Sequence, residues 1–389
     1  MPPWLPLLLG FLTAINPIST DMYLPGFPQM EAEFGTGQGG AQLTLATWFV
    51  GLAVGQVTQG TLSDRFGRRG PLIVGTVVYT LATVGCALAP SMGWLAAFRF
   101  MEAFGASASS VIPRAVVRDK VTGLEAARIM SRLILVMGAA PILAPSLGGA
   151  LLGVADWRAI FWVMAGYGAV SGLLVWWLLP DTLPPERRLR LGFGALMRNY
   201  GRVLTEPVFL THALMGATVM FSMFAYISGA PAVYIEYFGI PPGRFAILFG
   251  MGAVGFIGGA QLNPWLVGRF GANRVLSAGA IAFLTSAAAL VLLVWTGWGG
   301  FWGFFFPVFA MLASGSMIMP NSAVGGLARH GQRAGTASAL LGTLQFAVAA
   351  LGSVAVGHFA NGTPRPVAAV ILAGAVMTIG LDALRRRHG

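Results

Sequence analysis

GLAVGQVTQGTLSDRFGRRGPL, residues 51–72, and GFIGGAQLNPWLVGRFGANRVL, residues 255–276, align without a gap. The identities are Gly51/Gly255, Gly55/Gly259, Leu62/Leu266, Arg65/Arg269, Phe66/Phe270, Gly67/Gly271 and Leu72/Leu276. Each stretch leaves one apolar block, turns through Arg-Phe-Gly and enters the next, so the two occupy equivalent places in a duplicated unit. The turns differ in charge: Asp64 is matched by Gly268 and Arg68 by Ala272, and only the first keeps its full set.

The blocks on either side are long enough to cross a bilayer. Hydrophobic residues make up 56% of the chain and charged residues 10%, against about 25% charged in an ordinary soluble domain. Apolar blocks of about 20 residues fall near 5–28, 41–62, 71–90, 94–115, 129–153 and 157–179, then near 207–232, 243–266, 275–296, 301–322, 335–358 and 366–384. The expected fold is an all-α polytopic membrane protein of twelve transmembrane helices in two six-helix pseudo-symmetric halves. Residues 1–180 form the N-terminal half, 181–206 a cytoplasmic linker and 207–389 the C-terminal half.

Cytoplasmic loops collect arginine and lysine. The loop after the second block holds Arg65, Arg68 and Arg69, and the loop after the fourth holds Arg114, Arg118, Lys120, Arg128 and Arg132. Arg187, Arg188, Arg190, Arg198 and Arg202 fall in the linker, Arg269, Arg274, Arg329 and Arg333 in later loops, and Arg385, Arg386 and Arg387 in the tail. The opposite side receives only Arg158, Arg244 and Arg365. Both termini are therefore expected inside. The net charge of +11 is spread over alternate loops rather than one domain face, which argues against nucleic-acid binding and for contact with lipid headgroups. MPPWLPLLLG lacks a basic leader region, so the first span is expected to stay as a membrane helix and the chain to be mature as written.

Other chemistries find no footing. Cys86 is the only cysteine, so no intrachain disulfide or multi-cysteine metal site is available. His212, His330, His358 and His388 are scattered without metal-ligand spacing, and no nucleophile motif accompanies them. A phosphate loop needs Gly-Lys followed by Ser or Thr, whereas the single lysine, Lys120, stands between Asp119 and Val121. The chain is expected to be neither an enzyme nor an ATP-driven pump, to use no cofactor or metal, and to draw on a gradient.

GTLSDRFGRRGPL, residues 60–72, resembles the signature loop of the major facilitator superfamily. STDMYLPGFP (19–28), RAVVRDK (114–120), APILAPSLGGALL (140–152), DWRAIFW (156–162), DTLPPERR (181–188), SGAPAVYIE (228–236) and AGTASAL (334–340) resemble one branch, the bicyclomycin-resistance and chloramphenicol-efflux drug/proton antiporters. The resemblance spans nearly the whole chain in order. It implies a proton-coupled multidrug efflux transporter of the bacterial inner membrane, working by alternating access as a monomer on small drugs or metabolites, with protons and membrane lipids as its other partners. A metabolite exporter or a uniporter of the same fold is the alternative.

Within the signature loop, Gly60 and Gly67 permit close approach and a tight turn. Asp64 can pair with Arg65, Arg68 or a neighbouring helix end, with Arg69, Arg118 and Asp119 nearby, as a latch on the cytoplasmic side. In the fifth block, Gly138, Pro141, Pro145, Gly148, Gly149 and Gly153 form a small-residue run suited to backbone-to-backbone packing. The resemblance makes it the antiporter motif, with Ala144 where the family usually has glycine.

Asp21, Arg99 and Glu102 are charges set well inside spans of the first half. Asp21 is the lone acid of the run from Met1 to Glu31, and a charge at a span centre costs about 2.5–3.5 kcal/mol on lenient scales. Desolvation can carry a carboxyl from its ordinary value near 4 into working range, so Asp21 is the first candidate for the proton. Arg99 and Glu102, at i and i+3, share a helix face and can neutralise one another or take part in a relay. The resemblance puts glutamine and glycine where Glu102 and Ala103 stand here. Candidates for the substrate cavity are Tyr23, Gln42 and Trp48 in the first half, and Phe221, Phe224, Tyr226, Tyr234, Asn321 and Gln345 in the second.

Overall fold

The computed structural model describes residues 2, 4–37, 39–121, 125, 129, 133, 143–188, 193–329 and 334–388. Helix dominates, and no strand occurs among the described residues. In a bilayer this is the arrangement in which each span satisfies its own backbone polar groups. The first span is broken into α1 (Trp4–Thr13), α2 (Ile15–Asp21), a short 3-10 turn at Leu24–Gly26, and α3 (Phe27–Phe34). Pro25 and Pro28 withhold backbone donors at the break.

The chain continues with α4 (Gly40–Phe66), α5 (Arg69–Ala87), α6 (Met92–Lys120), the helical residues 143–151 as α7, and α8 (Trp157–Leu178). Then come α9 (Phe193–Leu204), α10 (Pro207–Pro231), α11 (Pro242–Phe270), α12 (Ala272–Thr296), α13 (Gly300–Leu327), α14 (Ala334–His358) and α15 (Arg365–His388). A π-helical segment at Ala232–Tyr237 follows Pro231. Ten described segments are long and apolar enough to cross a membrane. α6 is long enough at 29 residues but less apolar, since it carries Arg99 and Glu102. With α6, eleven of the twelve expected spans are described as helices; of the fifth, expected near 129–153, residues 134–142 lie outside the described residues and 143–151 are helical.

By contacts the chain divides into two compact units, Met1–Thr36 with Thr47–Leu191, and Gly37–Ala46 with Gly192–Gly389. The repeated glycines perform the same task in each. A Cβ at Gly51 would collide with the Phe100 carbonyl and Ala103, and one at Gly55 with Ser107, so α4 lies backbone-close on α6. In the second unit a Cβ at Gly255 would press on Phe309 at 3.0 Å and one at Gly259 would strike the Ala313 carbonyl, so α11 lies on α13 in the same way. The glycines of both RFG turns have positive φ, +94° at Gly67 and +82° at Gly271, a region that favours glycine.

Candidate functional site

The Arg99–Glu102 pair of α6 is held against α2, the helix that Asp21 ends at the break in span 1. Arg99 is wholly buried on α6. Its Nη1 donates to Glu102 Oε2 at 2.7 Å and its Nη2 to the Ser19 carbonyl of α2 at 2.9 Å. Its guanidinium lies between two ring faces, Tyr23 and Trp48, each 4.2 Å from Cζ, with Phe161 at 5.9 Å. Ring quadrupoles attract a cation, and more strongly where water is excluded. Glu102 is also sealed; it accepts from Thr83 Oγ1 at 3.0 Å and from Cys86 Sγ at 3.6 Å. The pair is thus internally neutral and fully enclosed. Arg99 Nε and Trp48 Nε1 have no hydrogen-bond partner among the described residues.

Asp21 differs. It is 4% exposed, and among the described residues no hydrogen bond or ion pair reaches its carboxylate. It ends α2, where the helix dipole gives an anion no support. The next residue, Met22, has its carbonyl against Gly148 of α7, where a Cβ would collide. Two residues earlier, Ser19 holds Arg99 through its carbonyl and Tyr79 through its hydroxyl at 2.8 Å. Pro145 and Gly149 of the same run are buried. Pro141 and Gly138 lie outside the described residues.

At the RFGRR turn, Arg68 is 6% exposed and gathers the polar groups. Its Nε donates to Asp119 Oδ2 at 2.8 Å and its Nη2 to Asp119 Oδ1 at 3.4 Å. Its Nη1 donates to Asp64 Oδ1 at 2.5 Å and to Ser63 Oγ at 3.0 Å. Burial opposes the Arg68 charge, and Asp119 and Asp64 more than offset it, so the guanidinium is held above its ordinary value. Arg65 leans over the Phe66 ring, Cζ 5.5 Å from its centre, and Arg69 donates to the Trp176 carbonyl at 2.6 Å. Gly60 sits 3.6 Å, at its Cβ position, from Val111. The side chain of Arg118 lies outside the description.

Sequence reasoning missed Asp181 and Thr182 here, just beyond α8. The Arg68 backbone N–H donates to Asp181 Oδ1 at 2.9 Å, Arg188 Nη2 reaches Asp181 Oδ2 at 2.8 Å, and Thr182 Oγ1 donates to Asp119 Oδ2 at 3.1 Å. A Cβ at Gly67 would overlap the Asp181 carboxylate. The signal was available in DTLPPERR, whose opening acid follows a span directly. Also missed was a cluster in the second unit: Asp382 of α15 accepts from Arg385 and Arg386, and Arg385 Nη1 and Nη2 reach Asn273 and Ser277 of α12 at 2.9 Å.

The second unit's named residues fall into small neutral contacts. The Tyr226 and Tyr234 hydroxyls are 3.2 Å apart, and Tyr234 is walled by the edges of Phe245, Phe301 and Phe304. Asn321 Nδ2 donates to Asn263 Oδ1 at 2.7 Å. Gln345 lies near Gly216, whose Cβ position is 3.0 Å from Nε2. Phe224 and Gln42 are buried and Phe221 half-buried. The apolar crevice beside Val219, Met223 and Phe256 has no interior room even for a water molecule, far short of the roughly 300–1,000 Å³ a drug-sized ligand needs.

The family profile of the Major Facilitator Superfamily matches residues 9–353. The chain is 34% identical over 375 residues to the uncharacterized MFS-type transporter YdgK of Bacillus subtilis, covering 95% of this chain and 92% of that one. It is 31% identical over 346 residues to a bicyclomycin resistance protein homolog of Haemophilus influenzae, covering 89% and 86%. To a chloramphenicol resistance protein of Pseudomonas aeruginosa it is 29% identical over 392 aligned positions, covering 98% and 91%. Among solved structures, a bacterial homolog of the human lysosomal transporter Spinster, inward-facing and occupied, superposes with TM-score 0.74 at 19% identity, covering 99% and 96%. The xylose transporter XylE of E. coli, partially occluded and inward open, gives 0.73 at 14%, covering 98% and 96%. The chain belongs to the major facilitator superfamily and to its bicyclomycin-resistance and chloramphenicol-efflux branch; it is a multi-pass membrane transporter of small molecules and not an enzyme.

Proposed function

We propose that this transporter is a drug/proton antiporter of the bacterial inner membrane that works by alternating access, with both termini in the cytoplasm. The observation that carries the reading is the contrast between the two buried acids. Glu102 is neutralised by Arg99 and held by Thr83 and Cys86. Asp21 has no such partner among the described residues. A group that must bind a proton on one side of the membrane and release it on the other has to be free of a permanent counter-ion. Asp21 meets that requirement at a point where the helix is already interrupted.

The names of the relatives support a drug as the exported substrate. Each proton entering with a neutral drug leaving moves one charge inward, which yields about 2.3 kcal/mol per 100 mV, or about fiftyfold accumulation of drug. Arg99, neutralised by Glu102, braces α2, and the arginine-rich turn with Asp119 and Asp181 ties helix ends of the first unit together on the cytoplasmic side. The test is the purified protein in liposomes with an imposed pH gradient, internal pH being followed as drugs are added. Wild type should dissipate the gradient when a phenicol or bicyclomycin is present, and Asp21→Asn should not. If Asp21→Asn exchanges as fast as wild type, the assignment of Asp21 fails. If no drug moves protons in wild type, a metabolite exporter or uniporter takes its place.

A further inference from the structure

DWRAIFW, residues 156–162, opens α8 and has no task in the reading above. Its first side chain caps the helix, and the next two converge on one carboxylate. Asp156 caps the helix, accepting from the backbone N–H groups of Arg158 at 3.1 Å and Ala159 at 3.3 Å. Trp157 is buried, its ring against Phe34 and Phe161, and its Nε1 donates to Glu33 Oε2 at 2.7 Å. Arg158 closes on the same carboxylate, Nη1 reaching Oε1 at 2.6 Å and Oε2 at 2.7 Å. Its Nη2 donates to the Ala89 carbonyl at 3.2 Å, and its guanidinium lies over the Trp157 ring at 4.3 Å.

Glu33 belongs to α3, the piece of span 1 beyond the break. α3 is 8 residues long, too short to hold a helix on its own account. It is cut off from α2 by the 3-10 turn, so its placement depends on what grips it from outside. α3 rests on α6, and α8 grips it through side chains: Gly26, just before α3, has its Cβ position 3.2 Å from Trp157 Cβ, and Phe34 and Glu33 meet the same tryptophan further on. α8 is itself a fixed support. Arg69, opening α5, donates to Trp176 near the end of α8, and Arg158, opening α8, donates to Ala89 just past the end of α5. The two helices run antiparallel and are pinned at both ends.

The Arg158 and Glu33 side chains are 27% and 43% exposed. A simple surface ion pair at such exposure contributes only about 0–1 kcal/mol. Here one carboxylate takes a guanidinium through both its oxygens together with a buried indole N–H, which fixes direction as well as distance. We propose that Glu33, Trp157 and Arg158 are positioning residues that fasten α3 to the α5–α8 pair and thereby fix the break at which Asp21 stands. The consequence for coupling rests on the reading that Asp21 carries the proton.

The test combines a distance with a flux. Spin labels on Ala32→Cys in α3 and Leu81→Cys in α5, both exposed, in a Cys86→Ser background, report where α3 lies in the reconstituted protein. Glu33→Ala should broaden a narrow distance distribution, and Glu33→Gln and Arg158→Lys, which keep size and part of the hydrogen bonding, should broaden it less. Asp21→Asn should leave it unchanged. In liposomes, Glu33→Ala should lower drug-driven proton flux by about tenfold, the range of one or two kcal/mol in placement. An unchanged distribution in Glu33→Ala and Arg158→Lys overturns the fastening whatever the flux. A broadened distribution with wild-type flux overturns its link to Asp21. A wild type that moves no protons with any drug overturns the antiport reading instead, and the distances then still decide whether the fastening exists.

Discussion

Replacing Glu102 by glutamine should cost stability, whereas replacing Asp21 by asparagine should not. Both side chains of the Arg99–Glu102 pair are fully enclosed, with 2.7 Å between charged atoms. Removing one partner of such a pair costs about 3–5 kcal/mol, because the other charge is left uncompensated. In Glu102→Gln the amide oxygen still accepts one hydrogen bond, and Arg99 keeps the Ser19 carbonyl and two ring faces at 4.2 Å. The expected loss is therefore near the lower end, about 2–4 kcal/mol. For units of this size that corresponds to a fall of roughly 5–15 °C in Tm. Asp21→Asn gives up no ion pair or hydrogen bond among the described residues and should stay within about 1 kcal/mol of wild type. Purified variants in detergent, melted under one protocol and followed by tryptophan fluorescence, provide the comparison. Arg99→Met combined with Glu102→Leu removes both charges and should melt above Glu102→Gln. The reasoning is refuted if Glu102→Gln melts with wild type while losing coupling, since Glu102 would then be the relay and Arg99 not its fixed counter-ion.

Arg68→Ala should loosen the RFGRR turn by about 2–3 kcal/mol, less than a sealed pair because Asp64 is 42% exposed; the checks are a lower Tm and faster thiol labelling of Ser63→Cys in that background. Gly67→Ala should be worse than Gly271→Ala. Both strain a positive φ, at about 1–2 kcal/mol, but only at Gly67 does the new Cβ meet Asp181, and paired melts would show equal losses if that overlap were unimportant. Gly55→Val and Gly259→Val should each separate helices that now touch through backbone, with losses of about 1–3 kcal/mol and reduced yield of folded protein. Tyr234→Phe removes the hydroxyl facing Tyr226 and should cost about 1 kcal/mol while leaving drug-driven proton flux at its wild-type rate.

The number of spans and their duplication were legible because they depend on block length and on a turn, Arg-Phe-Gly, whose glycine needs a particular backbone. The pairing of Arg99 with Glu102 was legible because i and i+3 share a helix face at any helical site. Contacts between distant segments were not. Asp181 lies 113 residues from Arg68 in sequence, and nothing in local periodicity joins the end of one span to the turn between two others. Tyr23 and Trp48 were read for their aromatic surface, while the structure puts their faces on Arg99. A cation inside a span needs such faces or a carboxylate, so buried arginine is a signal to look for aromatic partners on other helices. The splitting of span 1 was foreshadowed by Pro17, Pro25 and Pro28, although its location just after Asp21 depends on Gly148 and Trp157 packing against it.

The duplication also explains why charge could leave the second turn without loss of architecture. In the first unit, the third and sixth spans are joined at the arginine-rich end by Arg68 and Arg69 acting on Asp181 and Trp176. In the second, Gly268 and Ala272 supply no such groups, yet the corresponding helices, α12 and α15, are joined at the corresponding end by Arg385 acting on Asn273 and Ser277. Asp382 is buried beneath and holds Arg385 and Arg386 in place. The requirement common to both units is a polar tie between these two helices where they emerge from the apolar layer, and either turn or tail can provide it. The first unit meets that requirement with the turn. This leaves Arg68 bound both to Asp64 beside it and to Asp119 at the end of the span bearing Arg99 and Glu102. In the second unit the tie is confined to α12 and α15, and the turn is released from it. An Asp382→Asn variant should therefore weaken the second unit's stability while leaving the thiol labelling of Ser63→Cys at its wild-type rate. Accelerated labelling in that variant would mean that the two ties are not independent.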